Sequence, residues 1–366
     1  MVSENELSQR ILNVQNSLKF KDSSLLLVTP GPNLRYLIDY KAKNLERLTC
    51  LAISNDRKPF LIVPELEKLA ALESGLNEES IELLTWKEGD NPYDFFSKFD
   101  FKNVLVDEKM TADKLLNFQN IFKNSTFYNS NSIISPLRSV KSEYEIEQLK
   151  EVGKMIDQVH EQVASIIKPG ISEIEIAKKI GNKILEVGHD SVDFVIVASG
   201  INSASPHHEP SNKIIEKGDV VVVDIGGTSP SGYCSDSTRT YCVGTPNKEF
   251  QDFYATLMIA QESSCKATVE NFTGEELDAV ARDILTKNGL GEYFTHRTGH
   301  GIGLETHEEP YIVSTNKSKL VTGNAFSIEP GFYIEEKFGA RIEDIIVKVE
   351  NGYIRCNESN RELIVI

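Results

Sequence analysis

A larger α+β unit preceded by a smaller α/β unit is the architecture predicted by three features of this sequence. The chain has 366 residues, room for about two domains at roughly 150 residues each. Its composition, 40% hydrophobic and 26% charged, is that of an ordinary globular protein with enough apolar side chains for real cores. Its patterning changes near residue 133, from short strands alternating with helices to long capped helices interleaved with strands. The two units are accordingly expected at 1–132 and 133–366.

The first unit opens on an amphipathic segment (Leu7, Ile11, Leu12) followed by a strand at Leu25 to Val28. Two prolines bracket a glycine at Pro30-Gly31-Pro32, a turn signal. Further strands are expected at Leu48 to Ser54, Pro59 to Val63 and Val104 to Val106, with helices between them, which is the α/β alternation. The segment Ile133 to Ser142 reads as a hinge. Ser142 followed by Glu145 forms a capping box that opens a long helix to about Ile167, stopped by Lys168-Pro169-Gly170. Ser172 with Glu175 caps the next helix, to about Val187. Two more helices are expected at Lys248 to Thr268 and Glu275 to Asn288, the second opened by Thr273 and closed by Gly289. The strands of this unit are expected at Phe194 to Ala198, Asp219 to Ile225, Thr238 to Val243, Ala325 to Ile328 and Arg341 to Val349.

Charge and composition exclude several functions. A net charge of −16 argues against nucleic acid as a partner, because a phosphate backbone needs clustered Lys and Arg. The longest apolar runs, such as Val220 to Val223, fall far short of the ~18 residues of a membrane span. The polar start MVSENELSQR lacks the apolar stretch of a signal peptide. Five cysteines without a CxxC pair read as free thiols in a reducing cytosol.

Charged residues at the ends of apolar strands carry the chemistry. Asp224 closes the run Val220 to Val223, on the face of Val220 and Val222 by the period-2 rule. Asp236 lies just before the strand Thr238 to Val243. Glu343 shares a strand face with Ile345 and Val347, so alternation sends it inward and sends Asp344 towards solvent; Arg341 falls on the inward face. Glu329 precedes Pro330 and is biased to extended backbone. A single acid in such a place ordinarily caps a turn or pairs with Arg, but a buried carboxylate without a partner is costly. Four of them together with grouped histidines (His207, His208, His296, His300, His307) point to metal ligation and proton transfer. The glycines around His300 do not follow GxGxxG, so a dinucleotide loop is excluded. Oxygen ligands with one imidazole suit Mn²⁺, Co²⁺, Fe²⁺ or Zn²⁺. Four carboxylates match two divalent cations in charge, which points to a two-metal site.

The ordered set Asp224, Asp236, His300, Glu329, Glu343 resembles the five-ligand signature of the pita-bread metallopeptidases: methionine aminopeptidase, aminopeptidase P and prolidase. The strings VVVDIGGTSPSGYCSDSTRT, GHGIGLETHEEP, FSIEPGFY and RIEDIIV agree with it, and TPGPNLRYLIDY in the first unit looks like the creatinase/prolidase type. The resemblance implies a pita-bread catalytic domain behind a creatinase-type N-terminal domain. It also implies a cytoplasmic Xaa-Pro peptidase holding two divalent ions per chain, manganese first, with cobalt, zinc or iron as alternatives. By it Asp236 and Glu343 would bridge both ions, Asp224 would chelate one, and His300 and Glu329 would complete the other. His207, His296 and His307 match family histidines that hold substrate, stabilise the intermediate and help the proline nitrogen leave. Arg341 matches a family arginine at the site rim.

Many dipeptidases of the family carry Arg directly after the His-x-x-Pro string, to bind the dipeptide carboxylate. This chain has Tyr311 there, which offers only a hydroxyl. Prolidase and aminopeptidase P, acting on Xaa-Pro dipeptides or on longer Xaa-Pro-Yaa chains, are therefore both expected readings, prolidase first. The resemblance also implies a homodimer acting on short proline-containing peptides. A metal-free creatinase-like relative or a binding scaffold of the same fold would have lost ligands, and none of the five is missing.

Overall fold

Continuous apolar runs make strands that must be covered on both sides, and in the first unit they do. The computed structural model describes residues 2–19 and 24–366, and the chain divides into units spanning Met1–Arg138 and Ser139–Ile366. In the first, β1 (Ser24–Val28), β2 (Cys50–Ser54) and β3 (Phe60–Pro64) are buried at every position. They are joined by β4 (Glu82–Trp86), β5 (Asn103–Val106) and β6 (Thr126–Asn129) in one sheet of order β4-β3-β2-β1-β5-β6. The outer strands β4 and β6 carry no apolar run and are largely unburied, which is why alternation does not reveal them. The helices are α1 (Glu4–Leu18), α2 (Pro32–Ile38), α3 (Lys68–Glu73), α4 (Ala112–Ile121) and α5 (Asn131–Ser139). Pro32, expected in a turn, starts α2, because a proline at the first helical position gives up no needed donor. On α1 the buried face is Ile11, Val14 and Leu18, and Leu12 is exposed. The segment expected as a hinge is helical through Ser139.

The second unit rests on two pairs of helices. All three capping boxes are formed, at Ser142/Glu145, Ser172/Glu175 and Thr273/Glu276. They open α6 (Glu143–Ile166), α7 (Glu173–Glu186) and, after α8 (Lys248–Ala267), α9 (Gly274–Lys287). Strands β7 (Ser191–Ser199), β8 (Val220–Thr228), β9 (Cys234–Cys242) and β17 (Ile364–Val365) form one sheet; β10 (Gly299–Gly301), β11 (Glu308–Ile312), β12 (Ala325–Ile328), β15 (Asp344–Val349) and β16 (Gly352–Arg355) form another. A hairpin of β13 (Gly331–Ile334) and β14 (Phe338–Arg341) connects β12 to β15. Val221, Val223 and Ile225 of β8 pack with Ile156, Val159, Ile176 and Ile180 of α6 and α7. Phe332, Phe338 and Ala340 of the hairpin pack with Phe250, Leu257, Ala281 and Leu285 of α8 and α9. Each of these side chains is nearly or fully buried, and each valine, leucine, isoleucine and phenylalanine among them contributes roughly 1.5–3 kcal/mol. This is the α+β pita-bread architecture. Among the described residues no helix is long and apolar enough to cross a membrane.

Two expectations about strands need correction. β9 starts at Cys234, so Asp236 lies inside it rather than ahead of it. The strand expected over Arg341 to Val349 is two strands, broken at Ile342 and Glu343.

Candidate metal centre

Alternation along β8 decides where Asp224 goes. Val221, Val223 and Ile225 take the helix-facing side, so Asp224 turns to the opposite face, 8% exposed. Asp236 is paired with Gly226 across the β8–β9 ladder. A Cβ on Gly226 would overlap the Phe194 ring, so glycine is what lets that ring sit against the strand. Gly299 lets the backbone before His300 press onto β12, where a Cβ would overlap the Ser327 carbonyl. The His300 amide then donates to Ser327 Oγ at 3.0 Å, and Ser327 Oγ donates to Glu329 Oε1 at 3.1 Å. Glu343, in the break between β14 and β15, accepts from Thr238 Oγ1 at 2.7 Å.

These elements converge on one point. Ligand atoms of Asp224, Asp236 and Glu343 lie within 4.8 Å of one another, as do those of His300, Glu329 and Glu343, and those of Asp236, His300 and His307. Glu343 belongs to the first two groups and Asp236 to the first and third. His300 Nδ1 is 3.1 Å from the Gly301 carbonyl, which can only accept, so the ring proton is on Nδ1. The Nε2 lone pair then faces Glu329 Oε1 at 3.2 Å and Asp236 Oδ2 at 3.6 Å. These three acceptors, with Ser327 Oγ donating to one of them, repel one another unless a proton or a cation stands among them.

The carboxylates fit the same conclusion. Asp224 Oδ1, Asp236 Oδ1 and Glu343 Oε1 are buried without a hydrogen-bond partner, an arrangement proteins avoid unless something else satisfies the charge. Burial, and then the neighbouring Glu343, Asp224 and Glu329, push Asp236 well above the usual carboxylate range. Glu343 is pushed well up by burial and by Glu329 and Asp224. Glu329 is raised to about 7, burial outweighing the opposing Arg341. Arg341, expected at a rim, is 3% exposed. Its guanidinium donates to Asp224 Oδ2 at 2.6 Å, Tyr333 Oη at 2.6 Å, Thr238 Oγ1 at 3.0 Å and the Pro206 carbonyl at 3.3 Å. When ionised, the four carboxylates and Arg341 together carry three negative charges, more than one divalent cation neutralises. The donor set, hard oxygens with one imidazole, suits divalent ions of the manganese-to-zinc series.

The histidines divide in two. His296 Nδ1 donates to the Arg297 carbonyl at 2.7 Å, so its Nε2 accepts from Tyr333 Oη at 3.0 Å. Burial and then Arg341 lower its pKa to about 3. It is a neutral brace with both nitrogens engaged. His207 and His307 are exposed and line the cavity; the His307 ring centroid lies 4.0 Å from that of His300. His208 turns instead to Glu173, 2.9 Å away.

The cavity holds about 670 Å³ and is walled by the five candidate ligands, by His207, His296, His307 and Arg341, and by the apolar Phe194, Ile196 and Pro206. Tyr311 is not in that wall. Arg297 is, with its guanidinium carbon 4.6 Å over the Tyr311 ring centroid. The sequence reading passed over Arg297. Its only signal was a cation beside His296, in the string HRTGH.

Residues 147–350 match the family described as Metallopeptidase family M24, and residues 10–140 match the Creatinase/Prolidase N-terminal domain. A protein of Mycobacterium tuberculosis named "Probable dipeptidase PepE" is 42% identical over 349 residues, 93% of this chain and 92% of the relative. The crystal structure of dipeptidase PepE from Mycobacterium ulcerans matches at a TM-score of 0.92 and 39% identity, covering 100% of this chain and 99% of that one. A recombinant prolidase from Thermococcus sibiricus matches at 0.90 and 39% identity, with 98% and 99% covered. Its sequence, its fold and a buried acid–histidine cluster fit for two metal ions thus agree: the chain belongs to metallopeptidase family M24.

Proposed function

We propose that this protein is a two-metal Xaa-Pro dipeptidase, a prolidase, hydrolysing the bond between an N-terminal residue and proline. The observation that carries this reading is the pair of ligand groups sharing Glu343 at the floor of a cavity of about 670 Å³. Relatives named dipeptidase and prolidase support the substrate class. Asp224, Asp236, His300, Glu329 and Glu343 would hold two divalent ions, manganese first. Bound there, the ions supply Lewis acidity and an acidified water.

The chain's own groups do the rest. His207 and His307 offer imidazoles to the substrate carbonyl and to the departing proline nitrogen. Arg341, through Tyr333, fixes His296 as a neutral wall. Phe194 and Ile196 give the apolar side chains of the substrate a surface. The free carboxylate of a dipeptide meets Arg297, whose guanidinium rests on Tyr311 and is thereby oriented. Tyr311 thus serves binding from behind the arginine rather than by its hydroxyl. An acidic, cytoplasmic homodimer with no nucleic-acid partner completes the reading.

Tyr311 favours one second reading, aminopeptidase P, because the usual carboxylate-binding position lacks its arginine. The test is hydrolysis of a Xaa-Pro dipeptide and of the Xaa-Pro-Yaa tripeptide sharing its first residues, with Mn²⁺-loaded protein and a chelator control. Prolidase activity cleaves the dipeptide preferentially and is chelator-sensitive. Arg297→Ala should then raise KM for the dipeptide about 10-fold or more, since a charge-assisted bidentate contact is worth roughly 1.5–3 kcal/mol. Preference for the tripeptide would establish aminopeptidase P instead.

A further inference from the structure

We propose that Glu173 is a positioning residue for catalysis, clamping from outside the cavity the loop Ser199–Ser211 that presents Pro206 and His207 to the substrate. Glu173 stands at the first position of α7 and is fully buried. It is absent from the cavity wall, whereas Pro206 and His207 are in it. Its Oε1 accepts from the Ser199 amide and Ser199 Oγ, both at 2.7 Å, and from Asn202 Nδ2 at 3.1 Å. Its Oε2 accepts from the Ser211 amide at 3.0 Å, Ser211 Oγ at 2.7 Å, His208 Nε2 at 2.9 Å and Asn202 Nδ2 at 3.2 Å. Both ends of the loop are therefore fastened to one carboxylate.

The helix has no need of this carboxylate as a cap. Ser172 and Glu175 already close the amino end of α7 with a complete capping box. A buried carboxylate is expensive, and the loop donors are what hold this one ionised. Burial raises its pKa, and the hydrogen bonds from Ser211, Ser199 and His208 outweigh that and bring it below the usual value. On its other side the loop leans on the hairpin. The Ser203 hydroxyl accepts from the Gly339 amide at 2.8 Å, and the Pro206 carbonyl accepts from Arg341. His207 thus sits between two anchored stretches, and its neighbour His208 is tied directly to Glu173. A glutamine at 173 would keep the shape but aim an amide donor at a set of donors, freeing one end of the loop.

The inference rests on the reading of His207 as a substrate-contacting residue, and its test separates the two. Glu173→Gln, loaded with Mn²⁺, should lose about 10- to 100-fold in kcat/KM on the Xaa-Pro substrate, the scale on which small misplacements act. It should retain two metals per chain, and amide hydrogen exchange over residues 199–211 should rise. In the His207→Ala background the same substitution should cost nothing further, because residues acting as one unit are not additive. Ser211→Ala, which removes one loop donor and leaves the helix intact, should reproduce the pattern more weakly and serves if the glutamine variant does not fold. An equal loss in both backgrounds, or unchanged kcat/KM with unchanged exchange, overturns the clamp. If His207→Ala alone leaves kcat/KM unchanged, the His207 reading falls; faster exchange over 199–211 in Glu173→Gln then still establishes the clamp, and unchanged exchange refutes it.

Discussion

Glu343 and Asp344 leave the chain as neighbours and point into opposite interiors of the same unit. Glu343 is 1% exposed, keeps Oε1 without a hydrogen-bond partner and is pushed up in pKa by burial and by other carboxylates. Asp344 is fully buried too, but Arg239 donates to its Oδ1 at 2.7 Å, and Gln261 and Arg361 donate to its Oδ2. Arg239 and Arg361 outweigh the effect of burial and hold Asp344 below the usual carboxylate range. One carboxylate is neutralised by the protein and the other is left in deficit beside three more acids. The difference teaches that acidity by itself does not mark a metal site. What marks it is buried negative charge that the fold compensates only in part, through Arg341 at Asp224, although arginines gather at the very next residue.

The sharpest way to break this contrast is to remove a carboxylate from each side. Glu343→Ala or Asp236→Ala should lower metal content below two ions per chain and reduce activity about a hundred- to a thousandfold, the range seen when one preorganised electrostatic group is removed. Normal occupancy in either variant, measured by elemental analysis, would sink their assignment as shared ligands. Asp344→Ala should do the reverse, keeping both ions while costing about 3–5 kcal/mol of stability, because Arg239 would be left buried and unpaired. Denaturant unfolding of the metal-loaded protein checks this, and loss of metal without loss of stability would erase the distinction.

Protonation sharpens the comparison without mutation. In the metal-free protein Glu329 titrates near 7, above its ordinary 4.5. Across that window the folded state binds more protons than the unfolded state, so stability falls as pH rises. Asp344, with its lowered value, contributes stability above its ordinary 3.8 and loses it as pH falls through its folded value. Metal loading removes the first penalty by replacing protons with cations. The gap in Tm between loaded and chelated protein should therefore widen from pH 4.5 to pH 7, and a constant gap would count against the carboxylate cluster as its origin. The smallest effect lies at Thr238, whose hydroxyl donates to Glu343 and accepts from Arg341. Thr238→Val should cost about 1 kcal/mol in stability and about tenfold in kcat with metal content unchanged; depleted metal would mean that Thr238 supports ligation rather than alignment.

The sequence made the acids legible through strand periodicity. Asp224 could be placed because Val221, Val223 and Ile225 must face the helices. The same rule misplaced Asp344, which it sent to solvent. Alternation says only that Asp344 opposes Glu343, and the opposite face is covered by Arg239 and by Gln261 of α8, far away in the chain, and by the nearer Arg355 and Arg361. Arg297 escaped notice because its position depends on packing against Tyr311, which no local pattern encodes. Glu173 escaped too, since a glutamate in the first turn of a helix is unremarkable until its seven hydrogen bonds to a remote loop are seen. The helices were the easiest elements, because Ser142, Ser172 and Thr273 announce themselves with a glutamate three residues later.

Arg341 joins Asp224, Thr238, Tyr333 and the Pro206 carbonyl, partners spread over more than a hundred residues of chain. All but the Tyr333 bond close loops of more than a hundred residues, whose entropy is costlier to pay than that of local helices and hairpins. The cavity's full charge pattern is therefore expected late in folding, because the β8–β9 hairpin brings together only Asp224 and Asp236. Divalent ions would then enter a finished chamber, where ion size and coordination preference would decide among them. The order in which the nascent chain happens to meet them has no say.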